Sequence, residues 1–154
     1  MSHLTRRACV TGGSLWLLAC AVPARAAAPD LRDSAALQAA LARFAAGAPV
    51  REGRVQLELP EMVENGNAVP TTVDVDSPMS AADHVVAIAL FTGRNPLPEV
   101  AEFRLGPRAG RARVVTRIRL ATSQKVVAAA RMSDGSVWTR TMDVLVTLAA
   151  CVEG

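Results

Sequence analysis

Tyrosine is absent from the 154 residues, and two tryptophans with three phenylalanines supply all the aromatic surface. Nucleic-acid binding modules combine basic clusters with aromatic stacking platforms. No such interleaving occurs here, so that class is disfavoured. No apolar run reaches the ~20 residues a membrane-spanning helix requires. Histidine and cysteine are also scarce, at two and three residues, which disfavours a zinc or copper site built by this chain alone. The chain contains no phosphate-binding glycine loop, no Gly-x-Ser-x-Gly elbow and no Cys-x-x-Cys-His haem motif. Repeats, low-complexity tracts and a second domain are missing as well. What remains is one domain long enough for a single core, without the equipment of an enzyme and with no cofactor implied.

The N-terminus is an export signal. Arg6-Arg7 follows Thr5 as a twin-arginine signature. An apolar stretch of about 15 residues, Ala8 to Val22, is broken by Gly12-Gly13. Small residues at Ala24-Arg25-Ala26 and Ala26-Ala27-Ala28 offer cleavage, the first of them after Ala26. This reading places the mature protein in the periplasm, exported by the twin-arginine route, with residues 1–26 removed. A competing feature is Leu17-Leu18-Ala19-Cys20, which resembles a lipoprotein box and would leave a lipid anchor on Cys20. Leucine is unusual at the second position of that box, and the small-residue sites lie further along.

Cleavage changes the electrostatics. Of the 17 basic residues, Arg6, Arg7 and Arg25 leave with the signal, so 14 basic residues face 14 acidic ones. The basic isoelectric point of the precursor therefore says nothing about partners. Cleavage also removes Cys9 and Cys20, and Cys151 becomes the only thiol. An exported protein with one cysteine has no internal disulfide to make, which points to intermolecular pairing or reactivity.

Residues 27–49 hold one helix. Leu37, Leu41 and Phe44 recur at i, i+4 and i+7, Asp30 or Asp33 is the expected N-cap, and Gly47 with Pro49 ends it. From residue 50 to 148 the apolar period is two. Val55, Leu57 and Leu59 alternate with polar residues, as do Val73 and Val75, Phe103 and Leu105, and Val114, Thr116, Ile118 and Leu120. The runs HVVAIALFTG, KVVAAARM and SVWTRTMDVLVTL read as further strands. The last two are joined by Ser133-Asp134-Gly135-Ser136, a hairpin turn whose Asp-Gly pair tolerates positive φ. About seven short strands with turns such as Asn65-Gly66-Asn67 between them predict an all-β fold: an immunoglobulin-like antiparallel β-sandwich with an N-terminal helix.

Little in this body promises chemistry. His84 is the one histidine left after cleavage and reads as an ordinary edge residue. Asp74 and Asp76 share one strand face, as alternation on an exposed face requires. Residues 149–154, Ala149-Ala150-Cys151-Val152-Glu153-Gly154, are the exception. They follow the last strand directly, and three residues from Leu148 reach roughly 10 Å, so the Cys151 sulfur can enter another protein's pocket. Glu153 and the terminal carboxylate oppose thiolate formation. Activation of the sulfur therefore falls to a partner, which describes a carrier better than an enzyme.

The segments ELPEMVENGNAVPTTVDVDSPM, NPLPEVAEFRLGP and TRIRLATSQKVVAAARMSDGSVW, with the terminal cysteine, resemble SoxY, the sulfur-carrier subunit of the thiosulfate-oxidising system. The resemblance runs from about Leu57 to the end. It implies a sandwich paired with a second small sandwich subunit, SoxZ, and an arm whose cysteine carries sulfur intermediates to separate loading and unloading enzymes. Cys151 falls at that cysteine. The family arm is Gly-Gly-Cys-Gly-Gly, whereas this one resembles paralogues with Ala-Ala-Cys-Ile-Glu. Alanines remove the left-handed conformations that glycine samples, and Val152 adds β-branched bulk beside the sulfur. A channel shaped for a glycine arm would reject this one, so the carried group and its enzymes need not be those of thiosulfate oxidation. A non-covalent assembly module that keeps the partner surface without carrier chemistry is the alternative.

Overall fold

The period-two stretches fold as strands. In the computed structural model, which describes residues 34–148, helix α1 (Ala35–Ala45) precedes β1 (Val50–Glu52), β2 (Val55–Glu58), β3 (Met62–Asn65), β4 (Val69–Val75) and β5 (Val85–Thr92). The chain continues through β6 (Glu99–Arg104), β7 (Arg113–Ile118), β8 (Gln124–Met132) and β9 (Val137–Leu148). One sheet has the order β1-β9-β8-β5-β6, with β3 also on β9; the other is β2-β4-β7. The two pack face to face as a β-sandwich.

Alternation decides which side chains meet. Val55 and Leu57 of β2 and Val73 and Val75 of β4 pack against Ile88 and Leu90 of β5 and Val126, Ala128 and Ala130 of β8. Each fully buried Val, Leu or Ile contributes about 1.5–3 kcal/mol. The opposite face of β5 and β8 is buried too, under α1. Leu37, Ala40, Phe44 and Ala45 cover Ala87, Ala89, Phe91, Val127 and Ala129. That second cover explains why β5 and β8 read as continuous apolar runs. Phe44 meets Phe91 edge-on with ring centroids 5.8 Å apart.

The helix differs at two points from the sequence reading. Its cap is Ser34, not Asp30 or Asp33, which lie outside the described residues. The Ser34 hydroxyl accepts from the Leu37 amide at 3.1 Å, satisfying a free N–H of the first turn. Leu41 is only partly buried, and Ala40 takes its place at the contact. The C-terminus closes as expected, with Ala46 left-handed and Gly47 at φ 86°. Arg131 donates to the Phe44 carbonyl at 3.1 Å and stacks over its ring, a cation at the negative end of the helix.

Strand count and direction also gain detail. There are nine strands among the described residues, because β1 and β3 add to the seven expected, and both run parallel to β9. Between them the chain leaves the β9 sheet. Gly53 at φ 121° and Arg54 at φ 53° turn it into β2 of the other sheet, and it returns at Met62. The β8–β9 hairpin is as read: Gly135 has φ 83°, and the Met132 amide donates to the Ser136 carbonyl at 2.9 Å.

Candidate functional site at the end of β9

Cys151, Ala149, Ala150, Val152, Glu153 and Gly154 lie outside the described residues, as do Arg6, Arg7, Cys20 and Ala26. What the structure does show is the ground on which Cys151 stands: β9, whose last residue, Leu148, lies three positions before it.

β9 is 12 residues long and outruns its hairpin partner. Pairing with β8 ends at Gln124 opposite Val144. Beyond that point three other devices hold the strand. Parallel pairing with β3 aligns Met62 with Leu145, Val63 with Val146 and Asn65 with Leu148. The Ser123 hydroxyl takes over where β8 stops, accepting from the Val146 amide at 2.9 Å and donating to its carbonyl at 3.3 Å. Gly66 closes the end, its amide donating to the Leu148 carbonyl at 3.2 Å. Gly66 is squeezed: an added Cβ would run into the Leu120 carbonyl oxygen.

Around this end the loops are tied together. The Asn95 carboxamide accepts from the Ala121 amide and the Gln124 side chain, both at 2.9 Å, and donates to the Arg119 carbonyl at 2.7 Å. Gln124 is fully buried, and its carbonyl oxygen accepts from the Arg94 amide at 2.7 Å. The strand therefore meets residue 149 from a fixed frame. In the sequence, Asn65-Gly66-Asn67 reads only as a turn. Ser123 and Asn95 give no signal there, since their roles depend on contacts 23 or more residues away.

The other polar residues singled out from sequence lie elsewhere. His84 is half-buried, with Nδ1 3.1 Å from the Ser80 carbonyl and its amide donating to the Ser133 hydroxyl. Asp74 pairs with Arg111 and Arg113, and Asp76 is exposed beside it. The described hydrogen bonds and ion pairs of these side chains join none of them to one another or to the end of β9. Among the described residues no cluster of three or more His, Cys, Asp or Glu is placed to hold a metal ion. No described helix is long and apolar enough to cross a membrane.

Fold and site together define a small β-sandwich protein whose last described strand is held along its whole length. Its family follows from comparison. The model of the sulfur oxidation protein SoxY family matches residues 41–151, so the chain belongs to the SoxY family. The sulfur carrier protein SoxY from Chlorobium limicola f. thiosulfatophilum is 31% identical, with TM-score 0.62, over 73% of this chain and 96% of that one. The superoxide reductase (neelaredoxin) from Ignicoccus hospitalis shares the fold at 20% identity and TM-score 0.54, covering 61% of this chain and 80% of that one. The superoxide reductase from Nanoarchaeum equitans does so at 13% identity and TM-score 0.52, covering 62% of this chain and 100% of that one. At those identities the likeness to superoxide reductases concerns the fold alone. No curated protein matches the chain.

Proposed function

We propose that this protein is a periplasmic covalent carrier that presents a sulfur-containing intermediate on Cys151 to partner enzymes, and is not itself an enzyme. The observation that carries the reading is the extent of the family match, which reaches residue 151, the cysteine itself. The frame at the end of β9 supports it. A carrier gains from a rigid base, because an arm that starts at a fixed point searches a small volume and delivers its cargo at high effective concentration.

The chemistry is that of a nucleophile used by others. Loading forms a sulfur–sulfur bond at Cys151 with loss of the thiol proton and of two electrons to the loading enzyme, an oxidoreductase, and an unloading enzyme acts on the bound group. The carrier supplies the sulfur and the tether, and the enzymes' own pockets supply the charge that favours thiolate. Ala149, Ala150, Val152, Glu153 and Gly154 form the arm; with no glycine next to the cysteine, it selects enzymes whose channels accept Val152. The carrier works as a heterodimer with a SoxZ-like small β-sandwich subunit and reaches the periplasm through the Arg6-Arg7 signal, with cleavage after Ala26.

Substitution of Cys151 tests the reading. With Cys151→Ser, turnover by the native host's sulfur-oxidising enzymes should fall to background while the heterodimer still forms. The alanines flanking the cysteine favour one other reading, a non-covalent assembly module. In that case turnover persists without the thiol and is lost only when the partner interface is disrupted.

A further inference from the structure

Two short strands flank β9 on its outer side and leave a gap between them. β1 pairs with Val137 to Thr139, and β3 resumes the pairing at Leu145. The intervening chain has crossed to the other sheet as β2, so no described strand forms a ladder with Arg140–Val144 on that side. Thr139 to Leu145 spans roughly 20 Å of strand.

The backbone direction within the gap is fixed by its two ends. The Thr139 carbonyl faces outward, accepting from the Gly53 amide, and the Leu145 amide faces outward, donating to the Glu61 carbonyl at 2.8 Å. The β8–β9 register runs without a shift from Gln124–Val144 to Arg131–Val137. Strand groups alternate sides, so Thr141 and Asp143 also direct their N–H and C=O groups outward. A cavity of about 480 Å³ lies there, lined by Glu61, Arg140, Thr141, Met142, Asp143 and Leu145. At its β3 end Met62 is 64% exposed beside Leu145.

We propose that this gap is a strand-addition site, filled by a short extended segment of the partner subunit that pairs with the backbone of Thr141 and Asp143. The inference rests on the heterodimer reading above and adds where and how the partner binds. Two N–H and two C=O groups in line, at strand spacing, are complementary to an extended peptide and to little else. Met142, Leu145 and Met62 offer apolar contact to its side chains. Glu61 favours a basic residue there, Asp143 being paired already with Lys125 at 3.7 Å, while Arg140 favours an acidic one further along. A second copy that paired through the same two residues would set Thr141 opposite Asp143, and these amides would then already be protected in the isolated chain. The segment would lie on the strand that leads to Cys151.

Proline at position 141 separates backbone from side chain. The Thr141 N–H is on the open edge, so Thr141→Pro keeps every described strand pairing of β9, while Thr141→Val alters only the side chain. Binding of the SoxZ-like subunit from the same host is measured by calorimetry with the full mature chain. Thr141→Pro should weaken binding by at least about tenfold, the loss of a strand-addition hydrogen bond and its neighbour, and Thr141→Val should leave it unchanged. Amide hydrogen exchange on the wild-type chain should show Thr141 and Asp143 exchanging freely alone and protected in the complex. The exchange result stands even if the proline variant fails to fold. Equal binding by Thr141→Pro, or amides that stay unprotected in the complex, overturns the strand-addition site alone. Amides already protected in the isolated chain overturn it too, since the chain's own residues then cover the edge. A wild-type chain that binds no such subunit overturns the heterodimer reading and this inference with it.

Discussion

Gly66 donates its amide to the Leu148 carbonyl at 3.2 Å while its own carbonyl accepts from the Leu120 amide at 2.8 Å. One residue thus ties the last residue of β9 to the residue that follows β7 by two positions. Because its Cα faces the Leu120 carbonyl, no side chain fits there. Gly66→Ala should destabilise the fold by about 1–3 kcal/mol, the range for forcing extra volume into packed structure. It should also speed hydrogen exchange at the Gly66 amide beyond what the global loss explains. Urea denaturation and exchange on the same variant check both. An unchanged midpoint would mean that the end of β9 is held by β3 and Ser123 without Gly66.

At the opposite end of the β8–β9 hairpin, Asp134 is held below the usual aspartate range. The Ser136 hydroxyl is the main cause, donating at 2.7 Å, followed by the Ser136 amide at 2.8 Å. A carboxylate whose pKa is lower in the folded chain stabilises the fold above its unfolded pKa, and that contribution is lost as pH falls through the folded value. Ser136→Ala should therefore raise the Asp134 pKa toward the ordinary value. Carboxyl titration by NMR on wild type and variant reads the shift directly, and an identical titration would assign the turn's order to Gly135 alone.

Much of this architecture is legible in the sequence because alternation and burial are the same signal. β2, β4 and β7 pack one face each and announce themselves by period two; β5 and β8 lie between two layers and appear as continuous apolar runs. β1 and β3 escape for the converse reason. All three residues of β1 are exposed, β3 buries only Val63, and their pairing with β9 is made with residues more than 80 positions away. The N-cap is ambiguous in the sequence because Asp30, Asp33 and Ser34 are all good capping residues, and only the start of the packed face at Leu37 chooses among them. For the site, the cysteine and its arm are visible as a motif. The frame beneath them is not, because Ser123, Asn95 and Gly66 act through contacts between distant loops.

Export has a direct chemical signature. If the twin-arginine signal is cleaved after Ala26, the mature chain from the native host begins at Ala27. Intact-mass measurement of the periplasmic fraction should give that mass, and Arg6→Lys with Arg7→Lys should hold the precursor inside the cell. A mature chain beginning at a lipid-modified Cys20 would instead place the protein on a membrane surface.

Covalent carriage stands or falls on Cys151. The most direct measurement is the intact mass, followed by peptide mapping, of the protein isolated without reductant from its native host during sulfur oxidation. A carrier should show a population heavier than the bare chain by a sulfur-containing group, with the added mass on the peptide that contains Cys151 and removable by thiol reductant. Protein that carries only the free thiol under those conditions, while the host continues to oxidise sulfur through the partner enzymes, would contradict it.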